Sequence, residues 1–279
     1  MVLTNYYLKK KINKSFIINY MIFKNIEEEA LYYRGLTDYK LLPNSYVICM
    51  LDGRSFSSFT KRHFAKPFDV NFHSMMNETA KYLCENISGC VLAYVQSDEI
   101  TLVLKDTQEQ DNMFGYRLCK MLSVFASLAT AKFNQLMMMY YMGHDMGINP
   151  SDVIEKSPLC QFDCKCWNVP NEQKVLQWLI YRQNDCVRNS KQQFAQTYLP
   201  HKELVGLKTD QQVDKVLNLK GMDWKQCTNG EKYGRYIYKE SIIIQTQNGD
   251  IERSKFKIID GKYLTENKEF ANQLREIIG

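Results

Sequence analysis

At 279 residues, with 45% hydrophobic and 24% charged residues, the chain can bury a substantial core and is too ordinary in composition for a disordered or fibrous protein. Its formal net charge of +5 is matched by Lys9, Lys10, Lys11, Lys14 and Lys24 in an acid-free opening stretch, so the rest is balanced and any nucleic-acid face must come from how charge is distributed. No apolar run approaches the roughly 20 residues of a membrane-spanning helix, and nine cysteines scattered through apolar segments fit a reducing compartment better than a disulfide framework.

Residues 1–26 read as a basic, hydrophobic leader. This is either a transit segment, with a mitochondrial address first and a cytoplasmic one as the alternative, or an unstructured end. Glu27 to Tyr33 predicts a short helix, and Leu41-Leu42-Pro43-Asn44 a turn into a buried strand, Val47 to Leu51. Phe72, Met76, Leu83 and Ile87 then fall near helical spacing. Val91 to Val95 and Ile100 to Leu104 flank Gln96-Ser97-Asp98-Glu99 as the strands of a hairpin. A long helix over about Asn112 to Tyr141 takes Phe114, Leu118, Met121, Leu122, Phe125, Leu128 and Ala129 as its apolar side, and a strand near Leu159 to Val169 closes the set. The order β-α-β-β-α-β is the ferredoxin-like arrangement, which gives an α+β, polymerase-palm-like core over residues 27–170. Helical and β-hairpin elaboration follows over residues 171–247, with Asn171 to Leu199 helical and a hairpin at about Tyr236 to Gln245. The tail, 248–279, has a hairpin-like Asp260-Gly261 turn and a last helix around Phe270 to Ile278, and no evident chemistry.

Chemistry gathers where strands end. A buried strand runs into Asp52-Gly53, and in the ferredoxin-like order the first and third strands are antiparallel neighbours, which sets Asp52 beside Asp98 and Glu99. Three converging carboxylates repel unless cations sit between them, the two-metal arrangement of nucleotidyl transfer. The loop from Gly53 to Pro67 offers hydroxyls, Arg54, Lys61, Arg62 and Lys66, with backbone amides able to cradle a triphosphate, although it is not a Walker A sequence. Arg117 and Lys120 share a helix face, which alone reads as a solvated stripe; Lys165 can join them as a polyphosphate clamp. Cys160, Cys164 and Cys166 lack a fourth zinc ligand and read as core cysteines. His63, His73, His144 and His201 have no Ser or Cys partner at a recognisable spacing, so triad chemistry is not supported.

With LDGRSF, FAKPFD, YVQSDEITLVL, the Arg117/Lys120 helix with SVFAS, QFDCK and YRQNDC in order, the chain resembles the tRNA(His) guanylyltransferase superfamily, the 3′-to-5′ nucleotide-adding polymerases, over roughly Leu31 to Ser241. The resemblance implies a palm-like core, two Mg²⁺ ions, ATP and GTP or other nucleoside triphosphates as substrates, tRNA as partner and a homotetramer. Carried onto this sequence, Asp52, the Gly53 carbonyl and Asp98 hold metal, with Glu99 beside them as a third catalytic carboxylate. Asp52, Gly53, Arg54, Ser55, Phe56 and Ser57, with Ser97 and Asp98, hold the incoming triphosphate. Lys66 and Asp69 lie near its base. Arg117 and Lys120 hold the activating ATP, with Lys165 where the family usually has arginine. Ser57 replaces a frequent histidine.

The departure that matters follows YRQNDC. Enzymes that add the extra guanosine to tRNA(His) carry His-Ile-Asn-Asn-Leu-Tyr-Asn there, whereas this chain has Val187-Arg188-Asn189-Ser190-Lys191-Gln192-Gln193. This points to the guanylyltransferase-like branch, which repairs or edits 5′-truncated tRNA by templated addition, with Arg182, Asp185 and Asn189 left as nucleotide or tRNA contacts. The rivals are addition specific to tRNA(His), a nucleotidyl cyclase, whose Gly-Gly-Asp-Glu hairpin is missing, and a non-catalytic RNA-binding protein, which has no use for three converging carboxylates.

Overall fold

The computed structural model describes residues 23–105, 113–144, 158–246 and 249–279, in two units, residues 1–39 and 40–279. Most of the expected leader, and Asn112 at the expected start of the long helix, lie outside the described residues. In the first unit, α1 (Ile26–Gly35) is capped by Asn25, whose side chain accepts from the Glu28 amide, and it buries no residue.

The second unit is built on a six-stranded antiparallel sheet. Its strands are β1 (Tyr46–Gly53), β2 (Cys90–Gln96), β3 (Glu99–Lys105), β4 (Phe162–Val169), β5 (Arg235–Thr246) and β6 (Gly249–Asp260), in the order β4-β1-β3-β2-β5-β6. The first four have the expected ferredoxin-like order, with β1 between β3 and β4. Both faces of this sheet are covered, which is why β1 reads as a continuous apolar run rather than an alternating one.

On one face, Val47, Cys49, Leu51, Ile100, Leu102 and Leu104 meet α3 (Val70–Asn86) and α4 (Leu118–His144). The inward stripe of α4, Met121, Phe125, Ala129, Phe133 and Met137, recurs every four residues, as one face of a helix requires. On the other face, Ile48, Leu92, Tyr94 and Val103 meet α5 (Glu172–Tyr198) and α9 (Lys268–Ile278). Burying Phe270, Leu274 and Ile278 of α9 stabilises the fold by about 1.5–3 kcal/mol each. The remaining helices are α2 (Phe56–His63), between β1 and α3, and α6 (His201–Leu204), α7 (Thr209–Lys220) and α8 (Asn229–Tyr233), between α5 and β5. The far half of α5 packs Phe194 and Ala195 with Leu204, Val216 and Trp224 as a third cluster.

Two expectations are corrected. The long helix begins at Leu118, because Phe114, Gly115 and Tyr116 take φ of 52°, 62° and 60°, a left-handed run that no α-helix continues. Phe114 is therefore outside the helix, with its ring under the Lys120 ammonium at 5.1 Å. The segment Tyr236 to Gln245 is not a hairpin but one strand, and Asp260-Gly261 is not a hairpin turn but the end of the next. The β-branched run Ile242-Ile243-Ile244 offers nowhere to turn, and the hairpin signal in the sequence is Asn248-Gly249. Gly234, at φ 75°, delivers the chain into β5, and a Cβ there would strike the Tyr94 ring at 2.6 Å.

Candidate active site

The register of β1 sets the site. Asp52, at its end, stands opposite Glu99 of β3 on one side and Asp163 of β4 on the other. The Gly53 amide donates to the Asp98 carbonyl at 3.2 Å, which ties the β2–β3 turn to the end of β1. The turn itself is tight, with Ser97 left-handed at φ 47°. Burial raises Asp98 to about 6, the neighbouring Asp52 charge adds to the rise, and a bond from Ser97 opposes it. Asp52 is raised for the same first reason, then by Asp163, with Lys165 and Arg182 acting against both.

The third carboxylate has its own cation. Glu99 is clasped by Arg182 of α5, Nε to Oε1 at 2.7 Å and Nη2 to Oε2 at 2.5 Å, and it also accepts from Gln96 at 3.2 Å. Arg182 continues to Asp185 at 3.0 Å, and Asp185 accepts from Arg188 and Asn189. The strands bring Asp52, Asp98 and Glu99 to one sheet end, as expected, but only Asp52 and Asp98 are left without an arginine clasp. Among the described residues no three His, Cys, Asp or Glu side chains gather as a metal cage. Two raised carboxylates and the Gly53 carbonyl are nonetheless hard oxygen donors whose mutual repulsion a divalent cation would relieve, so they fit one. Asp163, in QFDCK, is a site residue that the sequence does not single out, because its place opposite Asp52 depends on the register of β4 against β1.

Beside the carboxylates, the chain turns from Gly53 through Arg54 and Ser55 into α2. A Cβ on Gly53 would lie 2.5 Å from the Phe56 ring, and that ring is core, packed with Phe59, Phe72, Phe133 and Phe162. Ser55, the N-cap, is left-handed at φ 61° and makes no side-chain cap, so the first-turn amides of α2 remain for a ligand. Such strain persists where function needs it. Arg54 is pinned by Gln161 through both backbone and side chain, each at 2.9 Å.

A cavity of about 550 Å³ opens from Ser57, Ser97 and Asp98 towards Lys66, Asp69 and Asn189. Lys66 donates to Thr60 at 2.9 Å, and burial lowers its ammonium pKa. Asp69 is committed to structure, one oxygen capping α3 at Asn71 and Phe72 and the other taking the Ala65 amide. The inner wall carries His73 and Arg235, 3.3 Å apart, which sequence reasoning missed because no motif joins α3 to β5. Burial lowers His73 to about 4, with Arg235 second.

The expected activating-nucleotide residues are spread out. Lys165 lies on the Asp163 and Trp167 face of β4, the face that meets α5. Arg117 and Lys120 are at the start of α4, on the other face, where Lys40 bridges Arg117 and the Tyr116 carbonyl accepts from Leu41.

A family model described as tRNAHis guanylyltransferase matches residues 27–170. An uncharacterized protein of Acanthamoeba polyphaga mimivirus is 27% identical over 262 residues, 88% of this chain and 87% of its own. The tRNA(His) guanylyltransferase of Kluyveromyces lactis is 28% identical over 228 residues, 79% of this chain and 90% of its own. Among solved structures, a bacterial tRNA(His) guanylyltransferase-like protein in complex with ATP superposes with a TM-score of 0.76 at 30% identity, covering 91% of this chain and 99% of that one. A complex of such a protein with GTP gives 0.71 at 28% identity, covering 91% and 98%. The family model spans more than half of the chain and includes the whole carboxylate corner: the chain belongs to the tRNA(His) guanylyltransferase family, and is therefore a nucleotidyltransferase.

Proposed function

We propose that the chain adds nucleotides in the 3′-to-5′ direction to the 5′ end of truncated tRNA, reading the opposite strand of the acceptor stem as template. The observation that carries this reading lies in the segment where the tRNA(His)-adding enzymes have their histidine motif. Arg188 is bound to Asp185, Ser190 accepts from the Trp224 indole at 2.9 Å, Lys191 is paired with Asp210, and Gln193 donates to the Pro67 carbonyl. Arg188 is spent within α5, and Ser190, Lys191 and Gln193 are spent on holding α5 to its neighbours, so all four are poorly placed to read one particular tRNA. Base pairing to the template then selects the nucleotide.

In this reading the amides at the start of α2, with Ser57 and Ser97, hold the incoming triphosphate, and the cavity beyond takes the rest of the nucleotide. That similar bacterial proteins form complexes with ATP and with GTP supports a nucleotide as the ligand. Asp52, Asp98 and the Gly53 carbonyl would hold two Mg²⁺, whose chemistry when bound would be to lower the pKa of the attacking 3′-hydroxyl and to neutralise charge on the departing AMP or pyrophosphate. Glu99 and Arg182 position the turn that carries Asp98. A 5′-monophosphate must first be activated, a role we assign to ATP held through Lys165, Arg117 and Lys120. Because these stand on opposite faces of β4, a homotetramer in which a second copy completes the site is part of the proposal. The basic, acid-free leader supports a mitochondrial address, checked by import of the full chain into isolated mitochondria.

The test is nucleotide addition by purified protein with Mg²⁺, ATP and all four nucleoside triphosphates, on 5′-truncated tRNAs and on intact tRNA(His). Templated filling of several truncated tRNAs is expected. Addition confined to tRNA(His), the activity in the Kluyveromyces lactis protein's name, would overturn the repair reading and leave the guanylyltransferase one.

A further inference from the structure

Three thiols lie together behind the carboxylate corner. Cys49 of β1 and Cys166 of β4 are register partners, and their sulfurs are 3.0 Å apart; Cys164, two residues along the same face of β4, has its sulfur 3.7 Å from that of Cys166. Cys49 is fully buried, whereas Cys164 and Cys166 are half-buried on the outermost strand of the sheet. Nothing in the nucleotide site uses them.

We infer that Cys49 and Cys166 are a redox modification site, closing to a cross-strand disulfide when the protein meets a low-molecular-weight disulfide such as oxidised glutathione. The geometry is prepared, because register partners on antiparallel strands have Cα atoms about 4.5–5.5 Å apart, inside the range a disulfide spans. Closing the sulfurs to about 2.05 Å needs only a small movement, and an edge strand is free to make it. Burial pushes the Cys49 thiol up, and the bond to Cys49 together with burial pushes Cys166 up as well, so either thiolate is costly, while a disulfide is neutral and suits the apolar face beneath α4.

The exchange balances as two displacements. Cys166, the more accessible of the pair, loses its proton and attacks one sulfur of the oxidant, whose S–S bond breaks, and one small thiolate leaves. Cys49, losing its proton, then attacks the Cys166 sulfur of the mixed disulfide, and the second small thiolate leaves. Two protein thiols are oxidised by two electrons, and the oxidant, taking up the two protons, becomes two small thiols. Cys164, beside Cys166, gives the oxidant a second point of entry. Cys84 and Cys90 offer an internal comparison: their sulfurs are 3.5 Å apart, but both are buried, without the access of an edge strand.

The full chain would be incubated with oxidised glutathione at pH 8, alkylated, digested without reduction and mapped by mass spectrometry, with Tm measured alongside. The expected result is a Cys49–Cys166 linked peptide, alkylated Cys84 and Cys90, and a Tm higher by about 10 °C, since a long loop is closed. Dithiothreitol should reverse the rise, Cys166→Ser should abolish it and Cys164→Ser should preserve it. A link only between Cys84 and Cys90 or between Cys164 and Cys166, mixed disulfide only at the exposed Cys119, or no change in Tm would each overturn the assignment. The readout is the thiols themselves, so it stands or falls apart from any nucleotide chemistry.

Discussion

Asp98 and Glu99 are adjacent in sequence, yet they belong to two regions that handle charge in opposite ways. Around Glu99 the fold supplies a bidentate arginine, a glutamine amide and, through Arg182, the Asp185 network. Around Asp98 and Asp52 it supplies burial and more negative charge, with Asp163 on the far side of β1. Burial raises Glu99 as well, but there Arg182 works against it. A buried carboxylate with its own guanidinium holds structure together, whereas one crowded by its own kind awaits a cation from outside.

The largest effect should come from the crowded side. Asp98→Asn is expected to lower nucleotide addition at least about a thousandfold, some 4 kcal/mol of transition-state stabilisation, with an unchanged circular dichroism spectrum. Activity above a few per cent of wild type would remove Asp98 from the metal site.

The paired side should break differently. Arg182→Ala leaves Glu99 buried without its cation and should cost about 3–5 kcal/mol in urea unfolding. If the unfolding midpoint instead stays put while KM for the RNA rises, Arg182 contacts substrate and the structural reading of the pair fails.

Asp98→Asn should also reveal a stability held back. Its folded value of about 6 lies above the ordinary 3.8, so below pH 3.8 the carboxyl is protonated in both states and the substitution changes nothing. As pH rises the unfolded chain ionises first, and the cost to the fold grows until it is complete above about pH 6. With a chelator present, the Asn variant should therefore be more stable than wild type at pH 8, by up to about 3 kcal/mol, and equal to it below pH 4. A variant less stable at pH 8 would mean that the bond from Ser97 outweighs the burial of Asp98.

Much of this contrast was readable in the sequence, and the unread part has a physical cause. Strand periodicity and element order were enough to set Asp52 beside Asp98 and Glu99, because the ferredoxin-like order leaves β1 little choice of neighbour. The division between them was not legible, since it depends on Arg182 reaching across from α5, 83 residues away. Asp163 is not legible either, because a charged residue on a strand reads as solvent-facing until its register opposite Asp52 is known. The start of α4 is hidden for another reason: three successive left-handed residues leave no mark on apolar periodicity. The phosphate loop was legible through Gly53, but not the reason for that glycine, which is the core ring of Phe56 pressed against it.

The smallest effect tests whether Asp163 belongs to the crowded region at all. It faces Asp52 across the β1–β4 pairing, and after burial its charge is the chief reason that Asp52 is raised. Asp163→Asn removes that charge while keeping the side-chain volume, so Asp52 should ionise at lower pH. The acidic limb of log kcat/KM against pH for nucleotide addition should then move to lower pH, with the plateau little changed, if ionised Asp52 is the form that works. Lys165→Met should move the same limb to higher pH, because Lys165 acts on Asp52 in the opposite sense. Opposite displacements from two neighbours on one strand would be hard to produce by loss of packing, which moves both alike. If both variants shift the limb in one direction, or neither does, Asp52 does not feel β4, and the crowded region reduces to Asp52 and Asp98 alone.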